Sequence, residues 1–266
     1  MQSATEVSPA AIEIRNLTKT FLTSAGSVRP VENFSLTVNE GEFVSIVGPS
    51  GCGKSTILNL VAQFIMPSAG SVVVSGKPQT GEVPEKLGYI FQRDTLLPWY
   101  TVRRNVGLGL EFSGCRQETI DRKVKELLVL GHLSGFAEAY PHQLSGGMRR
   151  RVALLMSLAV EPKILLLDEP FSALDAHTRT HLHKELLEIW RKLKQTVVMV
   201  THDLDEAVTL STRVIVLSRP PSRVLLDEAI EIPYPRDVFQ LREQDEFSHY
   251  YQRIWAVLAN QYRAEV

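Results

Sequence analysis

Lys54 and Ser55, preceded by Gly48, Gly51 and Gly53, are the residues of this chain whose spacing most directly implies chemistry. They lie in Gly48-Pro49-Ser50-Gly51-Cys52-Gly53-Lys54-Ser55-Thr56, the pattern G-x-x-x-x-G-K-[ST]. Glycines at these points let successive backbone N–H groups turn inward on an anion. A helix beginning behind them adds unpaired N–H groups and the positive end of its dipole. Lys54 supplies a full charge for β- and γ-phosphates. The Ser55 hydroxyl is a hard oxygen ligand of the kind Mg²⁺ takes. The flanks agree, since residues 43–47 form an apolar run that reads as a strand and residues 57–62 read as a helix start. Strand, glycine-rich turn and helix together make the pattern a phosphate site.

A second group closes another apolar run. Residues 164–167, Ile-Leu-Leu-Leu, lead into Asp168 and Glu169. Beside a phosphate loop, Asp168 would hold Mg²⁺ through water and Glu169 would polarise an attacking water. Alone, such a pair reads equally well as an acidic helix cap. A third group is Leu144-Ser145-Gly146-Gly147-Met148. Ser145 can cap a helix there, and Gly146 and Gly147 leave its first N–H groups open to an anion. One chain thus carries two anion-binding helix starts.

The chain has 266 residues, enough to bury a full core. Hydrophobic content of 44% and charged content of 22% are ordinary for a globular protein. Twenty-nine basic and thirty acidic residues give a formal charge of −1, which argues against a mainly electrostatic nucleic-acid binder. No apolar run reaches the roughly 18 residues of a membrane span, and the first residues lack the pattern of a secretory signal. The two cysteines, Cys52 and Cys115, with Cys52 inside the phosphate loop, are expected as free thiols in a reducing compartment.

The elements that must position these groups follow from periodicity. Residues 1–10 read as a frayed tail. Residues 11–17 and 31–38 alternate as half-buried strands and are expected to form a small antiparallel layer ahead of the phosphate loop, while residues 71–76 read as a strand leading into a turn. The first helix is expected to end over residues 67–70. Residues 87–91 read as a short strand ending at Gln92, and residues 101–160 as a helical insertion. A helix over 175–194, a buried strand over 196–200 ending at Thr201-His202-Asp203, and a hairpin of 214–217 with 224–226 follow. Phe247, Tyr250, Tyr251, Ile254, Val257 and Leu258 recur at helical spacing, so the chain ends in a packing helix.

Leu144-Ser145-Gly146-Gly147-Met148 just upstream of Ile164-Leu165-Leu166-Leu167-Asp168-Glu169-Pro170 closely resembles the signature of ATP-binding-cassette (ABC) ATPases. The resemblance spans residues 11–235 with its motifs in order. Gln92 fits the Q-loop, Ser172-Ala173-Leu174-Asp175 the D-loop and His202 the switch histidine. Phe21 sits where the family stacks an aromatic ring on adenine. The implied fold is α/β: a P-loop NTPase core with a mostly parallel sheet, an N-terminal antiparallel β layer and a helical insertion. The implied domains are an ATPase domain over 11–235, with a helical subdomain over about 93–160, and a C-terminal helical tail over 236–266.

The resemblance also implies ATP and Mg²⁺ as cofactors. ATP would contact Phe21, residues 48–56 (Gly48, Pro49, Ser50, Gly51, Cys52, Gly53, Lys54, Ser55 and Thr56), Gln92, Asp168 and Asp175. Ser55, Gln92 and Asp168 would hold the metal. Glu169, His202, Lys54 and Gln92 would be catalytic, with His202 touching the γ-phosphate. Ser145, Gly146 and Gly147 would close on the ATP of a second subunit in a head-to-tail homodimer.

Local sequences, among them Leu96-Leu97-Pro98-Trp99 and Thr201-His202-Asp203-Leu204-Asp205-Glu206-Ala207, resemble the importer branch for nitrate, taurine and aliphatic sulfonates. That branch implies membrane permease subunits, an extracytoplasmic solute-binding protein, a place at the cytoplasmic face of the inner membrane and no nucleic-acid partner. Aliphatic sulfonates, taurine included, come first as the imported solute and nitrate second. Other classes are a soluble ABC ATPase acting on nucleic acid and a nucleotide-binding partner with little hydrolysis. Trp99 suits either a docking groove for the permease or the core of the helical insertion. The chain departs from the branch at Arg149-Arg150-Arg151, where R-Q-R is usual, and that run reads as a solvated helix face. It also departs at Gln63, in place of a frequent glycine, and at Thr212, in place of a frequent aspartate.

Overall fold

The computed structural model describes residues 9–263 apart from Ala25 and Ala173. The expected frayed tail lies almost wholly outside the described residues. Two sheets and seven α-helices form the structure among them. In chain order the strands are β1 (Ala10–Thr23), β2 (Gly26–Asn39), β3 (Phe43–Val47), β4 (Ala69–Val74), β5 (Lys77–Pro78), β6 (Leu87–Ile90), β7 (Ile164–Asp168), β8 (Thr196–Thr201), β9 (Arg213–Leu217) and β10 (Val224–Ala229). The helices are α1 (Lys54–Val61), α2 (Val102–Phe112), α3 (Gln117–Leu130), α4 (Gly146–Ala159), α5 (Ala176–Leu193), α6 (Leu204–Leu210) and α7 (Asp245–Arg263).

The larger sheet has the order β10-β9-β3-β8-β7-β6 and is parallel except for the edge strand β10. Its inner strands are apolar on both faces, as a parallel sheet covered on both sides requires. Period-two alternation sends Ile46, Leu166 and Val200 into a core shared with Ile57, Leu58 and Val61 of α1. It sends Phe43, Leu165, Leu167 and Met199 to the other face, against Leu182, Leu186 and Trp190 of α5. The smaller sheet, β2-β1-β4-β5, is antiparallel and closes over α1 with Ile12, Leu17 and Phe34. The expected antiparallel layer is therefore present.

Helices α2, α3 and α4 bury Val106, Val124, Leu128, Val152 and Leu155 in a cluster of their own. At the chain's end α7 buries Phe247, Ile254 and Leu258 against α6 and the β9–β10 hairpin.

The first helix is shorter than expected. It ends at Val61, well before Pro67. The Phe64 N–H donates to Asn59 O at 3.0 Å and the Gln63 N–H to Leu60 O at 3.2 Å, the two bonds of a Schellman cap. Gln63 holds φ +60° at the position where glycine is favoured. Its Oε1 accepts from Thr80 N at 2.9 Å and Gly81 N at 3.0 Å, which explains how a glutamine is kept there. Thr212 is accommodated equally locally, its hydroxyl donating to Phe43 O and accepting from Phe43 N, both at 3.1 Å.

The arginine run is not the solvated face expected. Arg149 pairs with Asp94 at 2.7 Å and Arg151 with Glu185 at 2.9 Å. Arg150 is half-buried and directs its guanidinium at backbone carbonyls. Of the two placements open to Trp99, the structure has the exposed one, with 66% of the residue accessible.

Candidate functional site

Parallel strands end on the same edge of a sheet, so their register decides which loops meet. Val47 is level with Thr201, Asp168 with Val200, and Ile90 with Leu167. The phosphate loop after β3, His202 after β8, Glu169 after β7 and Gln92 after β6 therefore share the carboxyl edge. This is where open α/β sheets receive ligands.

Between β3 and α1 the loop is held by close contacts. A Cβ on Gly48 would lie 2.9 Å from Cys52 Sγ. Gly53, at φ +103°, would place one 3.0 Å from Pro30 O. Gly53 is also the N-cap of α1, with no side-chain cap and no acidic residue in the first turn, which leaves the helix start open to an anion. Lys54 is buried, and its Nζ donates to Gly48 O at 2.8 Å and Pro49 O at 2.9 Å. Its charge thus lies within the arch of the loop. Cys52 is fully buried beneath the arch and, like Cys115, is a free thiol. Burial raises its thiol above the ordinary value. Ser50 and Gly51 are exposed, and Thr56 is half-buried in the first turn of α1.

The Ser55 hydroxyl donates to Asp168 Oδ1 at 2.8 Å. The Asp168 carboxyl is raised above its ordinary value, chiefly by burial, and the Glu169 charge adds to the rise. The hydrogen bonds from Ser55 and Tyr89 and the charge of Lys54 oppose it. Two hard oxygen donors held together, one of them a carboxylate that burial makes costly to ionise alone, fit a divalent cation.

Glu169 takes φ +45°, a left-handed value unusual for a side chain with a Cβ. Its N–H donates to Val200 O at 2.9 Å, and its carbonyl accepts from Ser172 Oγ at 3.2 Å and Arg150 at 3.1 Å. Such strain persists where surrounding bonds over-determine it. It aims the carboxylate along the edge. Gln92 Nε2 donates to Glu169 Oε2 at 2.8 Å, and His202 Nδ1 lies 3.4 Å from the same oxygen.

Ser145 caps α4, its Oγ accepting from Met148 N at 3.3 Å. Gly147 packs on α5, where a Cβ would meet Thr178 Cγ2 at 2.5 Å. Among the described residues no hydrogen bond or ion pair joins 145–147 to the phosphate loop, so the structure does not bring these two anion sites together within one chain. Asp175 is the N-cap of α5 and accepts from Thr178 N at 3.0 Å, which holds its carboxyl below the usual value. The remainder of the D-loop stretch is described except for Ala173. Phe21 lies in the β1–β2 ribbon opposite Val28, about one-third exposed, with Lys19 Nζ 5.0 Å from its ring centre.

Three site neighbours were not expected. The Tyr89 hydroxyl lies 3.1 Å from Asn59 Oδ1 and 3.4 Å from Asp168 Oδ2, and burial with the Asp168 charge raises its phenol above the ordinary value. The signal was a tyrosine inside a short apolar strand three residues before Gln92. Glu206, nearly fully buried, accepts from Thr201 Oγ1 at 2.6 Å next to His202. Arg150 bridges the Gln92 and Glu169 segments, and its acceptors, being carbonyls, have no sequence signature.

A cavity of about 620 Å³ opens at the opposite edge, where β7 and β8 begin, and its lining includes Gly41, Lys123, Glu161 and Lys194. None of the site residues above lines it. No described helix is long and apolar enough to cross a membrane.

Comparison with known proteins agrees with this geometry. Residues 31–172 match the family described as ABC transporter. The nitrate import ATP-binding protein of Synechocystis sp. is 42% identical over 253 residues, covering 93% of this chain and 94% of its own. The aliphatic sulfonates import ATP-binding protein of Bacillus cereus is 40% identical over 225 residues, covering 85% and 88%. Among solved structures, a dimeric post-hydrolysis state of an ATP-binding cassette bound to ADP and Pi superposes with a TM-score of 0.74 at 33% identity, covering 84% of this chain and all of that one. With the phosphate loop, the acidic strand end and the serine-glycine helix start on one α/β scaffold, this chain belongs to the ABC transporter family as an ATP-binding, ATP-hydrolysing member.

Proposed function

We propose that this protein is the energy-coupling subunit of an ABC importer, hydrolysing ATP at the cytoplasmic face of a membrane for a separate permease. The observation that carries the catalytic part is Glu169. Its carboxylate is aimed by a left-handed backbone, meets Gln92 and His202, and adjoins the Asp168–Ser55 pair. In this reading Glu169 takes a proton from the attacking water, His202 contacts the γ-phosphate, and Lys54 with residues 48–56 binds the triphosphate. Ser55, Asp168 and Gln92 would hold Mg²⁺, which supplies charge neutralisation to the phosphate oxygens.

Two anion-binding helix starts that do not meet within one chain favour a head-to-tail homodimer. There, Ser145, Gly146 and Gly147 of one subunit close on the nucleotide held by its partner. The dimeric cassette among the solved structures supports this arrangement. The functional units would be an ATPase domain over 11–235, its helical part over 93–160 facing the permease, and a helical tail over 236–266. A solute-binding protein outside the membrane would deliver the solute.

The import relatives, one for nitrate and one for aliphatic sulfonates, support a small oxyanion as the solute class. Aliphatic sulfonates, taurine included, are the first choice and nitrate the second. Deleting the gene and measuring growth on an alkanesulfonate, on nitrate and on sulfate tests both. Loss on sulfonate alone, restored by the intact gene and not by Lys54→Ala, supports the first choice. Loss on nitrate alone replaces it with the second. Normal growth on all three rejects the pair.

A further inference from the structure

Arg150, on the second turn of α4, spends its guanidinium on four main-chain oxygens from two separate loops. Nη1 donates to Phe91 O at 2.8 Å, and Nη2 donates to Gln92 O at 3.2 Å and Glu169 O at 3.1 Å. Nε donates to Pro170 O. No carboxylate forms an ion pair with it among the described residues. Its neighbours on α4 behave differently, since Arg149 and Arg151 each pair with an acid.

The two loops it bridges carry the side chains that meet at 2.8 Å, Gln92 and Glu169. Arg150 lines a small apolar cavity together with Ile90, Leu154, Leu167 and Phe171. A flat fork with five donors can serve two strand ends together, which a single ammonium on a flexible stem does less well. The same helix begins at Ser145, Gly146 and Gly147. One side chain therefore links the serine-glycine helix start to the loops of the proposed base and its glutamine partner.

We infer that Arg150 is a positioning residue for ATP hydrolysis, fixing the Gln92–Glu169 contact and tying it rigidly to the α4 start. It touches neither nucleotide nor water in this role. The inference rests on the ATPase reading above and deepens it. Its consequence is a selective effect on turnover. Nucleotide affinity comes mainly from the phosphate loop, which Arg150 does not contact.

The test is steady-state ATP hydrolysis by the full chain carrying Arg150→Ala, Arg150→Lys or Arg150→Met, with melting temperatures measured in parallel. Arg150→Ala is expected to lower kcat by about 10- to 100-fold, the scale of an ångström-level misplacement, with KM for ATP changed less than about twofold. Arg150→Lys keeps the charge and loses the fork, so it is expected to fall similarly. Millimolar guanidinium chloride should restore part of the Arg150→Ala rate where equal sodium chloride does not. If Arg150→Ala does not fold, Arg150→Met, which keeps the length and loses the donors, carries the same expectation of a selective kcat loss. Parent-like kcat in a folded variant, equal losses through KM and kcat, full activity in Arg150→Lys, or no guanidinium recovery in a folded Arg150→Ala would each overturn the inference. A parent chain with no ATPase activity would instead overturn the catalytic reading itself.

Discussion

Ser55 Oγ donates to Asp168 Oδ1 at 2.8 Å, joining residues 113 positions apart across the carboxyl edge of the parallel sheet. The pair presents a hydroxyl and a buried carboxylate to one point. That carboxyl is raised by burial, with the Glu169 charge adding to it. A cation bound there would favour the ionised form, so Mg²⁺ binding should release protons and weaken as pH falls through the raised value. Without metal the sign for stability is the reverse of the usual carboxylate case. The folded state binds the Asp168 proton more tightly than the unfolded state, so this group's contribution is present below the ordinary carboxylate value and is lost as pH rises through the raised one. Isothermal titration with Mg²⁺–ATP across acidic pH should show this coupling, and Asp168→Asn should remove it.

Glu169→Gln retains the shape of the side chain and removes the base. ATP hydrolysis should fall by at least about 100-fold while ATP binding persists. Phosphate release measures the first, and size-exclusion chromatography with ATP and Mg²⁺ reads a trapped dimer. Hydrolysis at the parent rate would remove Glu169 from the mechanism.

Gln63 offers a stability test away from the chemistry. Gln63→Ala keeps the left-handed residue, at a cost of about 1–2 kcal/mol, and loses two hydrogen bonds worth about 1 kcal/mol each. Gln63→Gly loses the same bonds and relieves the backbone. The alanine variant should melt below the parent, and the glycine variant should melt above the alanine variant and at or below the parent. The reverse order in thermal scans would contradict the capping account.

Trp99, with 66% of the residue accessible, stands outside the hydrophobic cores. Trp99→Ala should therefore alter folding stability by no more than about 0.5 kcal/mol, which denaturant melts can read. If the residue anchors the permease, the same variant should reduce co-purification with the membrane subunits. A large stability loss would instead place the ring in the fold's interior.

Residues 48–56, the Asp168–Glu169 strand end and the Ser145 helix start were legible in the sequence because each is a local device. Spacing along the chain is enough to predict a turn, a strand end or a cap. The alternating strands and the α5 and α7 helices were legible for the same reason. Tertiary structure decided how these devices face one another. Parallel register, set by packing on both faces of the sheet, brings Thr201 level with Val47 and Asp168 level with Val200. The arginine run shows the limit most sharply: as a string it reads as a solvated face, yet each guanidinium has a fixed partner. Arg150's partners are carbonyl oxygens, which every residue carries, so only the folding of distant loops onto one helix could select them. Likewise Gln63 became intelligible only when Thr80 and Gly81 were seen to donate to it. Local spacing determined which groups this protein has, and long-range packing determined which of them meet.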